Sequence, residues 1–293
     1  MRIDRLVTLG LVAPWRRLAR PSEDEARTPI LMYHAISDQV DRGVSAYYRT
    51  VTSRAAFERQ MRYLFDTGFS AVTLSEALAS WKMPSRASDA GSAPRREVVV
   101  TFDDGFGDIY TDALPILRRF GFRATVFLST DYIGRNFVTG RQCLDEDQIR
   151  RLMHGGIEFG SHTASHPQLH NLDFEQIRAE LIRSKERIEQ IIGNAVTLFS
   201  YPYRFPEEDE EFVEALGDLL AKIGYTAGVT TSIGRASLDD APLFLKRLPV
   251  NDCDDERLFA AKLSGAYDWL HTGQIAYKRV RALRRPRPVG ARP

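Results

Sequence analysis

Short apolar runs alternate with amphipathic segments along most of this chain. Runs of about six residues, such as 98–103 and 124–129, are typical of strands that are buried on both faces. Between the runs, apolar residues recur every three or four positions, as in 174–192, which is typical of helices. This alternation, from about residue 29 to about residue 270, predicts a single α/β domain with a parallel sheet.

The pattern predicts eight strands, at residues 30–34, 69–74, 98–103, 124–129, 157–161, 197–201, 226–230 and 244–248. It predicts helices that begin after Ser53 and at 75–81, 108–120, 145–153, 174–192, 209–223 and 256–270. Seven or eight strands favour a closed barrel over an open sheet. In such a barrel, catalytic residues lie at the carboxyl ends of the strands.

The composition excludes several classes of protein. The 293 residues are 43% hydrophobic and 27% charged, unlike a disordered or fibrous chain. Cys143 and Cys253 are too few for a disulfide framework or a four-cysteine zinc site. No apolar run approaches the roughly 20 residues that span a bilayer.

The charges are distributed unevenly along the chain. Residues 1–20 carry a net charge of +4 and residues 278–293 one of +7, although the whole chain carries only +1. The acidic remainder does not resemble a nucleic-acid-binding domain, so no nucleic acid partner is expected. The basic ends are either solvated or in weak contact with an anionic membrane.

These patterns suggest three regions. We expect an N-terminal extension at 1–28 outside the fold, a barrel at 29–272, and a disordered Arg/Pro-rich tail at 273–293. The apolar residues 6–15 are interrupted by Gly10 and Pro14 and precede no cleavage site. A cytoplasmic location is therefore expected, with membrane association as the alternative.

Two adjacent carboxylates, Asp103 and Asp104, end the apolar run at 98–103. At the end of a buried strand they cost desolvation and mutual repulsion, and a metal ion would relieve that cost. The alternative is a simple turn, since Asp-Gly is common turn chemistry.

Two histidines follow another predicted strand. His162 and His166, four residues apart, would suit one metal ion if the segment turned into a helix, and imidazole with carboxylate suits zinc. The zincin motif is excluded because Thr163 stands where it requires glutamate. A surface pair of histidines is the alternative.

A third strand end carries Tyr201, Pro202 and Tyr203. This segment could direct backbone N–H groups and an aromatic wall toward the same mouth, or it could be an aromatic core followed by a turn. A nucleophile elbow, a dinucleotide fingerprint and a Walker A sequence do not occur.

In this order, Val-Thr-Phe-Asp-Asp-Gly (100–105), Gly-Ser-His-Thr-x-x-His-Pro (160–167) and Phe-Ser-Tyr-Pro-Tyr (199–203) resemble the polysaccharide deacetylases of carbohydrate esterase family 4. The resemblance covers about residues 29–270. It implies a distorted (β/α)7 barrel in which zinc or a similar divalent ion takes part in hydrolysing N-acetyl groups of amino sugars.

The resemblance assigns roles position by position. It implies three metal ligands, Asp104, His162 and His166, and makes Asp103 the general base. It matches Tyr203 to the residue whose backbone N–H helps to hold the oxyanion.

Two features depart from the family pattern. Ser200 stands where many members have an arginine that orients the base, and Arg247 is our candidate for that task, with a surface arginine as the alternative. The late Leu-x-His motif that carries the general acid is absent, and His271 follows a predicted helix.

The N-terminal Leu-Met-Tyr-His at 31–34 is similar to the branch that includes biofilm poly-N-acetylglucosamine deacetylases, whose barrel is circularly permuted. His34 would then be the general acid, or else a buried structural histidine. The sequence thus predicts a metal-dependent exopolysaccharide or cell-surface glycan deacetylase. The alternatives are a lipid-linked sugar deformylase, an O-acetyl esterase and a glycan-binding barrel without turnover.

Overall fold

The computed structural model describes residues 2–19, 27–39, 44–45, 48–82 and 96–275. The strands in these residues are β1 (Ile30–Tyr33), β2 (Ala35–Ile36), β3 (Val51–Thr52), β4 (Phe69–Val72), β5 (Arg96–Phe102), β6 (Ala124–Leu128), β7 (Ile157–Ser161), β8 (Leu198–Ser200), β9 (Ala227–Ile233) and β10 (Leu245–Pro249).

The helices pack mainly around the strands. They are α1 (Ile3–Val7), α2 (Ala13–Ala19), α3 (Arg54–Asp66), α4 (Leu74–Lys82), α5 (Leu114–Arg119), α6 (Glu146–His154), α7 (Phe174–Ile192), α8 (Glu210–Ile223) and α9 (Glu256–Leu263). A π-helical turn at Thr8–Val12 joins α1 to α2, and another at Ile109–Ala113 precedes α5. Residues 269–275 are also helical. The helix predicted at 256–270 is therefore interrupted, at a turn where Gly265 has a φ of 80°.

Seven strands form a closed parallel barrel. Their order around the ring is β1, β5, β6, β7, β8, β9 and β10, and β10 pairs again with β1. β4 pairs with residues 96–99 of β5, and β6 pairs with residues 101–102 on the same edge of β5. β4 therefore extends the sheet outside the ring. The predicted (β/α)7 barrel is confirmed, and its circular permutation stays a prediction.

The ends of α7 follow from local sequence. The Asp173 carboxylate accepts a hydrogen bond from the Gln176 N–H, and the Gln176 side chain accepts one from the Asp173 N–H. This capping box starts the helix, and Gly193, with a φ of 71°, ends it. The buried face of α7 packs against the barrel through Ile177, Leu181, Ile188 and Ile191.

Residues 3–19 form one continuous helix, which we call the N-terminal helix. Arg2 donates a hydrogen bond to Asp254 at 3.2 Å, and the Trp269 indole donates one to Thr8 at 3.0 Å. This differs from the expected extension outside the fold, because polar side chains fix the helix on α9 and the turn after it. Most of the predicted loop at 83–96 and of the predicted tail lies outside the described residues.

Candidate active site

Polar side chains meet at the carboxyl end of the barrel. The structure brings together all seven site residues predicted from the sequence, which we call the carboxyl-end cluster: His34, Asp103, Asp104, His162, His166, Tyr203 and Arg247. They come from strands or strand ends that are distant in sequence, as expected for a closed barrel.

A fully buried arginine holds Asp103. Arg247 donates from Nη1 to Oδ1 at 2.8 Å and from Nη2 to Oδ2 at 2.7 Å, the bidentate geometry of strong arginine–carboxylate pairs. Its other donors reach the Thr230 carbonyl at 2.9 Å and the hydroxyls of Thr101 and Ser200, each at 3.1 Å. All five N–H groups of the guanidinium are therefore engaged, and the alternative of a surface arginine is wrong.

Asp103 is ionised although it is buried. Burial alone would raise its pKa, but the charge of Arg247 and the hydrogen bonds that Arg247 donates hold that pKa well below its usual range. The Ser200 hydroxyl donates a further hydrogen bond to Oδ1 at 3.2 Å. Asp103 is thus a charged carboxylate in a fixed orientation.

The pKa of the neighbouring carboxylate, Asp104, is shifted in the opposite direction. Burial, and then the charge of Asp103, raise the pKa of Asp104 to about 8, and the charge of Arg247 offsets this only in part. Its Oδ1 atom is buried and accepts no hydrogen bond from the described residues. Among the residues that the structure describes, Asp103 is paired with a basic side chain and Asp104 is not.

Two neutral imidazoles point ring nitrogens at Asp104. The Nε2 atom of His162 lies 3.6 Å from Asp104 Oδ1, and that of His166 lies 3.3 Å from it. The Ser200 carbonyl accepts a hydrogen bond from His162 Nδ1 at 2.7 Å, which leaves the lone pair on Nε2. Burial lowers the pKa of both rings, that of His166 to about 3.

These three residues fit a single divalent ion. Their ligand atoms all lie within 4.8 Å of one another. Tetrahedral zinc with bonds of about 2.0–2.1 Å would place neighbouring ligands roughly 3.3 Å apart, close to both distances from Asp104. A cation here would also supply the counter-charge that Asp104 lacks. The ligand set therefore fits a metal site.

The segment 162–166 is a loop, so the helix suggested by its four-residue spacing is wrong. Thr163 and His166 adopt left-handed backbone, with φ of 66° and 57°, and this bends the segment. The Glu180 carboxylate on α7 accepts hydrogen bonds from the Ser165 N–H at 2.8 Å and the Ser165 hydroxyl at 2.9 Å. Hydrogen bonds to α7 therefore hold the two imidazoles together.

Backbone strain concentrates at the same place. Among the described residues, the non-glycine residues with positive φ are Asp104, Thr163, His166 and Tyr203, and all four lie in or beside the cluster. Such conformations cost on the order of 1–3 kcal/mol each and persist only where surrounding contacts fix them. Their concentration is typical of a functional site.

His34 follows β1 and faces the cluster. Its half-buried ring interacts electrostatically with Asp103, Arg247 and His162, and burial lowers its pKa to about 4. No hydrogen bond joins this ring to any residue that the structure describes. The described residues therefore do not support the alternative that His34 is a hydrogen-bonded structural histidine.

Tyr203 lies at the open side of the cluster. Its side chain is 47% exposed, and its ring centroid lies 4.5 Å from that of His166. The Phe137 ring lies 5.2 Å from the same imidazole and packs against Tyr132 at 4.6 Å. The aromatic wall thus includes a loop, after β6, that the sequence did not indicate. Within the described chain, nothing accepts a hydrogen bond from the Tyr203 backbone N–H.

The remaining histidines lie elsewhere. His154 ends α6, His170 lies 3.0 Å from Asp209, and His271 lies in the helix 269–275. Four supporting residues were not predicted from the sequence: Thr101, Glu180, Thr230 and, through its hydroxyl, Ser200. Thr101 and Ser200 stand inside the quoted motifs, where they could have been noticed, whereas nothing marked the other two.

Comparisons with known proteins agree with this geometry. A family described as polysaccharide deacetylase matches residues 90–227. YxkH of Bacillus subtilis (strain 168), classed by name among the polysaccharide deacetylases, is 33% identical over 231 residues, 78% of this chain and 74% of that protein. The poly-beta-1,6-N-acetyl-D-glucosamine N-deacetylase of Staphylococcus aureus (strain N315) is 26% identical over 170 residues. That match covers 54% of this chain and 55% of the relative, about half the length of each.

A solved structure shares the fold. The deacetylase PplD of Streptococcus pyogenes, in complex with acetate, aligns with a TM-score of 0.65 at 23% identity and covers 81% of this chain and 98% of its own. At that identity the likeness shows the fold alone. Together with the family match and the extended similarity to YxkH, it places the chain: the protein belongs to the polysaccharide deacetylase family, carbohydrate esterase family 4.

Proposed function

We propose that this protein is a metal-dependent N-deacetylase that removes acetyl groups from an amino-sugar glycan. The observation that carries the proposal is the ionised, fixed Asp103 beside a ligand set that lacks a counter-charge. Burying a charged pair costs desolvation energy, and a barrel that only bound glycans would gain nothing from that cost.

Asp104, His162 and His166 would hold the ion. Two neutral imidazoles and one carboxylate form a donor set that suits zinc and leaves a coordination position open. When bound, such an ion supplies Lewis acidity, which polarises the amide carbonyl and acidifies nearby water.

Asp103 would accept the proton of the attacking water. The water oxygen bonds to the carbonyl carbon while one of its protons passes to the carboxylate, whose two oxygens Arg247 keeps in place. The low pKa of Asp103 makes it a weak base but keeps it deprotonated at the start of each turnover. The Tyr203 N–H would donate to the oxyanion of the tetrahedral adduct.

His34 would protonate the leaving nitrogen. The proton that Asp103 takes from the water would first pass through water to the neutral His34 ring. His34 would then give it to the nitrogen as the C–N bond breaks, which yields a free amine and acetic acid that ionises to acetate. The pKa of about 4 means that the ring is neutral before reaction, and the negative charge of the adduct would raise that pKa.

The relatives support a proposal for the substrate class. The Staphylococcus aureus relative is named for poly-beta-1,6-N-acetyl-D-glucosamine, and PplD binds acetate, the acid that N-deacetylation releases. Beside the ligand set, the exposed Tyr203 ring offers an aromatic surface at the open side of the cluster. We propose an N-acetylglucosamine polymer or oligomer as the substrate.

The test compares two adjacent carboxylates in the same protein. Asp104→Ala should lose bound metal, whereas Asp103→Asn should keep it and lose about 10²- to 10⁴-fold in turnover, as expected for a missing base. Metal content is measured on purified protein, and acetate release is measured on N-acetylated glucosamine oligomers of increasing length. Equal metal retention in both variants would overturn the ligand assignment. Formate release from a formylated sugar, or hydrolysis of O-acetyl esters alone, would replace the proposed substrate.

A further inference from the structure

The N-terminal helix (3–19) is fixed to the barrel by polar contacts and exposes large apolar side chains. On the side that faces the barrel, the Tyr267 hydroxyl donates to Asp4 at 2.7 Å, Arg2 pairs with Asp254 at 3.2 Å, and Thr8 is fully buried. On the opposite side, four apolar side chains are between 47% and 70% exposed: Ile3, Leu6, Leu11 and Trp15. Surface helices of globular proteins normally bury their apolar stripe and expose their polar face.

This apolar face is concentrated compared with the rest of the described surface. The other exposed large apolar residues of the described chain are scattered, and no helix or strand carries more than one of them: Val44, Tyr48, Phe65, Val138, Tyr203 and Leu238. Single exposed apolar residues are ordinary, whereas a contiguous apolar face indicates an interaction surface.

Basic charge accompanies the face at both ends of the chain. Residues 1–20 contain five arginines and one aspartate. The helix 269–275, which Trp269 joins to Thr8, leads directly into residues 276–293, a sequence with seven Arg or Lys residues and no acid. An apolar helix face with adjacent basic sequence complements an anionic lipid surface, which attracts basic segments electrostatically.

We propose that the N-terminal helix is a membrane-interface element that lies on an anionic bilayer with Ile3, Leu6, Leu11 and Trp15 toward the acyl chains. A helix that lies in the interface needs no spanning length, and none of the helices in the described part of the chain is long and apolar enough to cross a bilayer. Residues 2–5 contact Asp254 and Asp255, in the loop that follows β10, and therefore lie at the carboxyl end of the barrel.

The test uses the full chain and sedimentation with vesicles of pure phosphatidylcholine or of phosphatidylcholine with phosphatidylglycerol. The triple variant Ile3→Gln, Leu11→Gln, Trp15→Gln should reduce partitioning onto anionic vesicles by at least about tenfold, because three apolar side chains no longer enter the interface. A matched pair of single variants compares Leu11→Gln with Leu238→Gln, whose side chains are 69% and 61% exposed. Only the first should weaken binding. Raising the NaCl concentration to 0.5 M should also weaken binding of the wild-type protein to anionic vesicles.

Three outcomes would overturn the proposal: no sedimentation of the wild type with anionic vesicles, equal sedimentation of the triple variant, or a fall in oligomeric mass of the triple variant without vesicles. The last would show that a second copy covers the face. Circular dichroism checks that the variants are folded. Acetate release from a soluble oligomer should be unchanged in the triple variant, so this test succeeds or fails separately from the proposed chemistry.

Discussion

Two buried ion pairs in this protein are alike in chemistry and different in surroundings. Asp103 pairs with Arg247 in the carboxyl-end cluster, and Asp254 pairs with Lys262 beneath the N-terminal helix, each at 2.7 Å. The side chains of Arg247 and Lys262 are each at most 2% exposed. Burial and pairing alone therefore do not distinguish the site that carries chemistry.

The difference lies in the polar atoms next to each pair. Lys262 also donates to the Pro249 carbonyl at 2.6 Å, and Asp254 also accepts from Arg2, so this network is complete and fixes one element on another. Beside Asp103, Asp104 Oδ1 and His166 Nδ1 are buried without a hydrogen-bond partner among the described residues. Unsatisfied polar atoms next to a buried ion pair indicate a place where something outside the chain binds.

The largest expected effects come from replacing the basic residue of each pair, Arg247 or Lys262. Arg247→Met and Lys262→Met should each lower the free energy of unfolding by about 3–5 kcal/mol, since each leaves a carboxylate buried without its counter-charge. Only Arg247→Met should also lower acetate release per folded molecule, by about 10²-fold or more, because Asp103 loses its charge state and orientation. Urea unfolding and assays below the melting temperature measure the two quantities.

Arg247→Lys serves as the control for this comparison. It keeps a positive charge without the planar fork, so stability should recover more than activity does. If Lys262→Met lost as much turnover per folded molecule as Arg247→Met, the distinction between the two pairs would be wrong.

The second effect concerns His34. Changed to alanine, it should leave metal content and fold intact and slow amide hydrolysis by about 10²-fold, because an amine leaves poorly unless it is protonated. An activated acetate ester, whose leaving group needs no proton, should be affected much less. Equal losses on both substrates would remove His34 from the role of general acid, and with it the permuted reading of the barrel.

A smaller effect separates two glutamates of α7. Glu180→Ala should weaken metal affinity by about 10- to 100-fold, the range typical of groups that support metal ligands, because the loop 162–166 loses its hydrogen bonds to α7. Glu189 on the same helix binds Lys185 and the Val196 N–H instead, so Glu189→Ala should leave the affinity unchanged. Chelator competition measures both. Equal affinities in the two variants would contradict a positioning role for Glu180.

The smallest effect concerns Asp108, a carboxylate whose pKa lies between the low pKa of Asp103 and the raised pKa of Asp104. Burial raises the pKa of Asp108 to about 6, although its contacts with the Ile36 N–H and Arg141 oppose this and the charge of Asp112 adds to it. Between pH 4 and 6 this residue then holds more proton in the native protein than in the unfolded chain. The contribution of Asp108 to the free energy of unfolding should therefore fall as pH rises, by at most about 3 kcal/mol, and level off above pH 6. Asp108→Asn should remove this part of the slope in urea titrations at several pH values. An unchanged slope would show that Asp108 titrates normally.

Most of the barrel could be predicted from the sequence because its strands are continuous apolar runs. The predicted strand at 157–161 and helix at 174–192 have the observed bounds. The shape of 162–166 could not be predicted, since the left-handed residues Thr163 and His166 carry side chains that rarely adopt that backbone. Glu180 was equally hidden, because its partners lie across the fold and no local pattern marks a glutamate on a polar helix face.

The closure of the ring between β10 and β1 has a consequence during protein synthesis. Asp103 and Arg247 are 144 residues apart, and β1 pairs with both β5 and β10. While the chain emerges from the ribosome, the Asp103 carboxylate must stay hydrated until its guanidinium partner arrives, and β1 keeps one edge open for the same interval. The last strand is therefore required to complete the fold. A nascent chain that stops before β10 can neither close the barrel nor bury Asp103 with its partner Arg247.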